Sequence, residues 1–152
     1  MRYILSTIFM VLIFAGCSST QSPNASTSKS DNVIREYYTG GGLLSELIIT
    51  DKETQSGILK RYGYDQKLTS TVEVRHGKKN GIETMYDPDG RVILKTPFAN
   101  GIQQGVQTAY YANGSPMFTV TYVNGIKHGP AKSYLADGNI KETIMFENDR
   151  PR

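Results

Sequence analysis

Glycine recurs at Gly57, Gly81, Gly105 and Gly129, 24 residues apart each time, and a tyrosine follows five residues after each, at Tyr62, Tyr86, Tyr110 and Tyr134. A fixed period of this length is the mark of one supersecondary unit repeated and stacked, because a single unit cannot bury its own apolar face. One more step back from Tyr62 lands on Tyr38. Counted from Val33, five units of 24 residues reach Arg152, so the array is read as 33–152 with its first and last units degenerate.

Two turn signals recur within this period. The first is Asp89-Gly90, Asn113-Gly114 or Asp137-Gly138, with Gly42 and Gln66 at the same place in the first two units. The second is His76-Gly77, Asn100-Gly101 or Asn124-Gly125, and in the last unit Asp149 replaces the glycine. Asn-Gly and Asp-Gly tolerate the positive φ values of tight hairpins, so each pair marks a reversal between antiparallel strands. The strand-opening glycines Gly57, Gly81, Gly105 and Gly129 imply a close backbone approach or a bulge.

The strand after the first turn alternates. Its rows of equivalent positions run Leu68, Val92, Pro116, Ile140; Ser70, Leu94, Phe118, Glu142; Val72, Thr96, Val120, Ile144; and Val74, Phe98, Tyr122, Phe146. The residues between them are mostly polar, so one face is covered and the other is wet. A loop of three residues would bring the tyrosine row onto the covered face, and that is the arrangement expected here because it makes one larger core. The predicted fold is all-β: an elongated, twisted, single-sheet antiparallel meander of tandem 24-residue β-hairpin repeats.

The N-terminus is of another kind. In MRYILSTIFMVLIFAGC, Arg2 precedes an apolar stretch from Ile4 to Phe14 that is too short for a lasting span. Phe14-Ala15-Gly16-Cys17 resembles the lipobox of bacterial lipoproteins, with Phe14 where leucine is usual, and Cys17 is the only cysteine in the chain. The resemblance implies a leader over 1–16, acylation of Cys17, and a membrane held through those acyl chains. It places the protein at the cell envelope, and Ser18 resembles the outer-membrane sorting class if the source is Gram-negative, on either the periplasmic or the surface face. Residues 17–32 are small and polar and read as a flexible Ser/Thr-rich tether.

YYANGSPMFTVTYVNGIKHG, residues 110–129, resembles the MORN repeat variant, the repeat that also defines the YwqK-family antitoxins. The residues that carry the resemblance are Tyr38, Gly57, Tyr62, Gly77, Gly81, Tyr86, Gly90, Gly101, Gly105, Tyr110, Gly114, Gly125, Gly129, Tyr134 and Gly138. It implies an all-β scaffold that recognises proteins or lipid surfaces without catalysis. It also admits a protein of the immunity or antitoxin kind, which neutralises a cognate toxin by binding it.

No catalytic constellation, metal-ligand spacing or cofactor motif stands out. The formal charge of +3 becomes +2 if Arg2 is removed with the leader, too little for a nucleic-acid binder. A meander collects Asp65, Asp87, Asp89 and Asp137 along one edge, and Arg75, His76, Lys78, Lys79, Lys127 and His128 along the other. Of the second group, Arg75, Lys78, Lys79, Lys127 and His128 are the candidate binding residues, suited to anionic headgroups or an acidic partner. The alternative is that Asp serves the turns and Lys serves solubility. An unknown protein and a second copy of the chain are the remaining partners considered.

Overall fold

The computed structural model describes residues 26–30 and 32–152. The leader, Cys17 and the rest of the proposed tether lie outside the described residues. Within them the chain is all-β, a single open antiparallel sheet of 13 strands in sequence order, with only the two-residue β8 off the path.

The strands are β1 (Ser26–Ser30), β2 (Val33–Tyr37), β3 (Leu43–Asp51), β4 (Ser56–Tyr62), β5 (Leu68–Arg75) and β6 (Lys78–Tyr86). After them come β7 (Val92–Ala99), β8 (Ile102–Gln103), β9 (Gly105–Tyr110), β10 (Pro116–Val123), β11 (Ile126–Tyr134), β12 (Ile140–Glu147) and β13 (Arg150–Pro151). Residues 26–30, assigned by composition to the tether, instead pair with β2 from Ser26↔Tyr37 to Ser30↔Val33. Backbone pairing needs no apolar side chain, which is why a polar segment can join an open sheet edge.

Two kinds of turn alternate as the spacing predicts. At the first, Asp87 N–H donates to Arg91 O and Gly90 N–H to Asp87 O, both at 2.9 Å, which closes a three-residue loop. Gly90 holds φ +81°, the left-handed residue that such a loop requires after its type I turn. The second turns have two residues, both at positive φ, as in Asn124 (+52°) and Gly125 (+84°). Asn148 and Asp149 keep that geometry at +51° and +65°, so the last turn forms without its glycine, since Asn and Asp tolerate this region.

In the first unit the structural period slips by one residue. The loop bonds run from Tyr38 N to Gly42 O and from Gly41 N to Tyr38 O. Tyr37 pairs with Leu43 as Tyr62 pairs with Leu68, so Tyr37 and Gly41, rather than Tyr38 and Gly42, are equivalent to Tyr62 and Gln66. The longer turn between β3 and β4, braced by Asp51 Oδ1 accepting from Glu53 N (2.9 Å) and Thr54 N (3.2 Å), accounts for the offset.

The expected placement of the tyrosines is overturned by a recurrent bulge. Tyr86 pairs with Val92 but Met85 pairs with Leu94, leaving Ile93 extra, and the same shift occurs beside Tyr62, Tyr110 and Tyr134. One extra residue flips every later side chain to the other face. Leu68, Val92, Pro116 and Ile140 therefore stay with the tyrosines, while the other three rows face the opposite way. On their face lie the core residues Leu59, Val72 and Val74, with Leu47 packed against them.

The strand-opening glycines acquire a reason on this face. Val74, Phe98, Tyr122 and Phe146 pair with Gly57, Gly81, Gly105 and Gly129 respectively. A large side chain lies across from a missing one, as when an aromatic covers a strand glycine. Gly81, Gly105 and Gly129 also sit at positive φ (+82°, +108° and +103°), whereas Gly57 admits the Ile48 carbonyl where a Cβ would be. Both expectations for these glycines, a bulge and a close approach, are met in different units.

Candidate functional site

The first-turn edge gathers Asp65, Asp87, Asp89 and Asp137, and its carboxylates are largely committed to the turns. Asp87 Oδ1 accepts from Asp89 N and Arg91 N, Asp65 Oδ1 from Lys67 N, and Asp137 Oδ1 from Asn139 N. Arg91 bridges the carboxylates of Asp87 and Asp89. Burial pushes the Asp87 carboxyl up, but the Arg91 and backbone hydrogen bonds outweigh it and hold the group below the usual range.

The second-turn edge is less open than the charge pattern suggests. Lys79 Nζ lies 2.7 Å from both Glu83 oxygens and 4.8 Å from the Phe98 ring centroid. Arg61 approaches the same Glu83 at 3.4 Å. Lys127 covers Phe146 in the same manner at 5.4 Å, so both lysines act as lids over the aromatic row. Arg75 pairs with Glu73 at 3.3 Å. Of the candidate binding residues, Arg75 and Lys78 share one turn with His76, while His128 stands two repeats away and is exposed with Lys78.

Sequence reasoning missed what joins one second turn to the next. Gly101 N donates to Lys79 O (2.8 Å), Gly125 N to Gln103 O (2.9 Å) and Asp149 N to Lys127 O (3.0 Å), tying each turn to the strand entered after the turn before it. These are main-chain bonds, and no residue type signals them.

A groove of about 390 Å³ opens on the tyrosine face, lined by Arg91, Val92, Lys95, Tyr110, Tyr111, Ala112, Asn113 and Gly114. It was also missed, although the sequence holds a signal for it. Thr71, Lys95, Thr119 and Thr143 are equivalent positions, and the one lysine among them belongs to one of the two units that border the groove. Thr71 Oγ1 lies 3.3 Å from Tyr86 Oη, and Thr119 Oγ1 lies 3.4 Å from Tyr134 Oη. Lys95 instead sets its ammonium 5.7 Å from the Tyr110 ring centroid. Among the described residues no group of three or more His, Cys, Asp or Glu could hold a metal ion.

Residues 79–100, 103–124 and 127–148 each match the MORN repeat variant. Three of the hairpins thus match the MORN repeat variant. They correspond to β6–β7, β9–β10 and β11–β12, and the first two of these border the groove. The hairpins β2–β3 and β4–β5 close with the same loop bonds.

No curated protein matches the chain. Among solved structures it is similar to a point mutant of S. aureus TarM in complex with Fondaparinux, alpha-GlcNAc-glycerol and UDP, at 15% identity over 83% of this chain and 22% of that one, TM-score 0.40. It is similar to TarM at 15% identity, 83% and 21% coverage and TM-score 0.39, and to the GtfA/B complex at 13%, 76% and 20%, TM-score 0.40. The chain spans about a fifth of the length of these structures.

Proposed function

We propose that this protein is a lipid-anchored, non-catalytic scaffold of the cell envelope that binds a protein or a membrane surface through its MORN-variant repeats. The observation that carries the reading is the run of three tandem MORN-variant hairpins in one open sheet. Its faces and turn edges repeat side by side, the arrangement by which repeat proteins build extended binding surfaces. The turn carboxylates, Lys79 and Lys127 are occupied in holding that surface together. The leader that ends in Cys17 supplies the anchor in this reading.

The test is affinity capture from the native envelope with the full chain as bait and mass spectrometry as readout. One stoichiometric protein, lost when the sheet surface is mutated, supports the scaffold. If that protein is a toxin, the chain is an immunity protein of the antitoxin kind. Recovery of nothing beyond the bait and lipid removes the protein-scaffold reading.

A further inference from the structure

The repeat acts as its own control, and the groove beside Tyr110 is where one unit departs from the others. In two neighbouring units a threonine hydroxyl partners the row tyrosine, at Thr71–Tyr86 and Thr119–Tyr134. In the unit between them Lys95 takes the threonine's place, and among the described residues Tyr110 Oη has no hydrogen-bond partner and Lys95 pairs with no carboxylate. The other cation of the groove, Arg91, is already spent on Asp87 and Asp89. The ammonium rests over the Tyr110 ring without a carboxylate partner, and neither Lys95 Nζ nor Tyr110 Oη is among the buried orphaned polar atoms of the described residues, so both donors are open to a ligand from solvent.

We infer that this groove receives the carboxylate of a glutamate or aspartate side chain from a protein partner. One uncommitted positive charge matches one negative charge, and a carboxylate can accept from the Lys95 ammonium and the Tyr110 hydroxyl at once. A phosphate dianion would require a second free cation, and Arg91 is not free. The Tyr111 ring and Val92 supply apolar walls for the methylenes that precede the carboxylate, within a volume suited to one side chain and its neighbours. The inference rests on the scaffold reading and names the chemistry of its partner.

The experiment titrates the isotope-labelled full chain in detergent micelles with N-acetyl-glutamate methylamide, its glutamine counterpart and inorganic phosphate, read by NMR. The glutamate probe should give saturable shifts at Lys95, Tyr110 and Tyr111, and the glutamine probe should not. Lys95→Thr restores the residue that the neighbouring units carry, so the fold is retained, and it should weaken glutamate binding about tenfold or more, as loss of a charge-assisted hydrogen bond implies. Lys95→Arg should keep it. Equal shifts from glutamine, unchanged affinity in Lys95→Thr, or tighter binding of phosphate overturns the inference. Failure here is separable from failure of the scaffold. An envelope partner still captured by the Lys95→Thr protein leaves the scaffold standing without this groove. A glutamate response in a protein that captures nothing leaves the groove without the scaffold.

Discussion

Tyr111 Oη donates to the carbonyl oxygen of Tyr134 at 2.8 Å, reaching across from one hairpin loop to the next repeat. Tyr38 makes the same bond to Tyr62 O at 2.7 Å, and both tyrosines close their loops through the same pair of backbone bonds. Adjacent repeats are thus stapled at the first-turn edge by a side chain, as they are at the other edge by the main chain.

Tyr111→Phe keeps the ring and removes only the donor, so it should lower unfolding stability by about 1 kcal/mol, the net worth of an ordinary intramolecular hydrogen bond. Tyr38→Phe should lose a similar amount. Urea midpoints measure both. Unchanged midpoints would mean that water replaces the staple at no cost.

Glu83 is 9% exposed and carries two cationic partners, Lys79 and Arg61. Glu83→Ala would leave Lys79 half-buried without its carboxylate and should cost about 3 kcal/mol, at the low end for a broken buried pair because both cations retain some solvent. The double mutant with Lys79→Ala should cost less than the two single changes added together. Strict additivity in that cycle would count against a coupled pair.

The period made the sheet, its strand order and both turn edges legible, because Asn-Gly, Asp-Gly and alternating apolar rows each constrain φ or face directly. The face of the tyrosine row was not legible. The bulge at Thr69, Ile93, Met117 and Lys141 falls on polar, apolar and charged residues alike, so no single residue type marks it. The first unit hid its slip because Tyr37-Tyr38 and Gly40-Gly41-Gly42 offer two registers equally well. Gln66 shows how a turn can forgo glycine. It holds φ +59° while its amide oxygen accepts from Leu43 N at 2.7 Å, an inter-repeat bond that glycine could not make. The charge pattern of the second-turn edge does not show partners that lie four or more residues away in sequence yet adjacent on the face, as Glu83 and Phe98 do for Lys79.

Acid should loosen the loop of the third unit in a defined direction. The folded Asp87 carboxyl is held below its usual value, so its contribution is present above the unfolded pKa of about 3.9 and is lost as pH falls through the lower folded value. Asp87→Asn retains the acceptor oxygen and removes the titration. Urea midpoints followed from neutral to strongly acid pH should therefore fall less steeply in the variant than in the parent. Parallel curves would show that the Asp87 shift does not couple to folding.

Two glycines that the sequence pattern treats alike as turn or strand punctuation should respond differently to the same substitution. At Gly57 a Cβ would collide with the Ile48 carbonyl, and both groups are backbone in paired strands, so neither can move without disturbing the β3–β4 ladder. At Gly114 nothing lies within 4 Å, and only the φ of +84° opposes a side chain. Gly114→Ala should then cost about 1 to 2 kcal/mol, the penalty of the left-handed region. Gly57→Ala should cost more, about 3 kcal/mol, as overpacking against immovable atoms does. Thermal or urea unfolding of the two variants decides the order. The reverse order would mean that the β3 and β4 backbones separate readily at Ile48, and that the approach seen there is not held by the sheet.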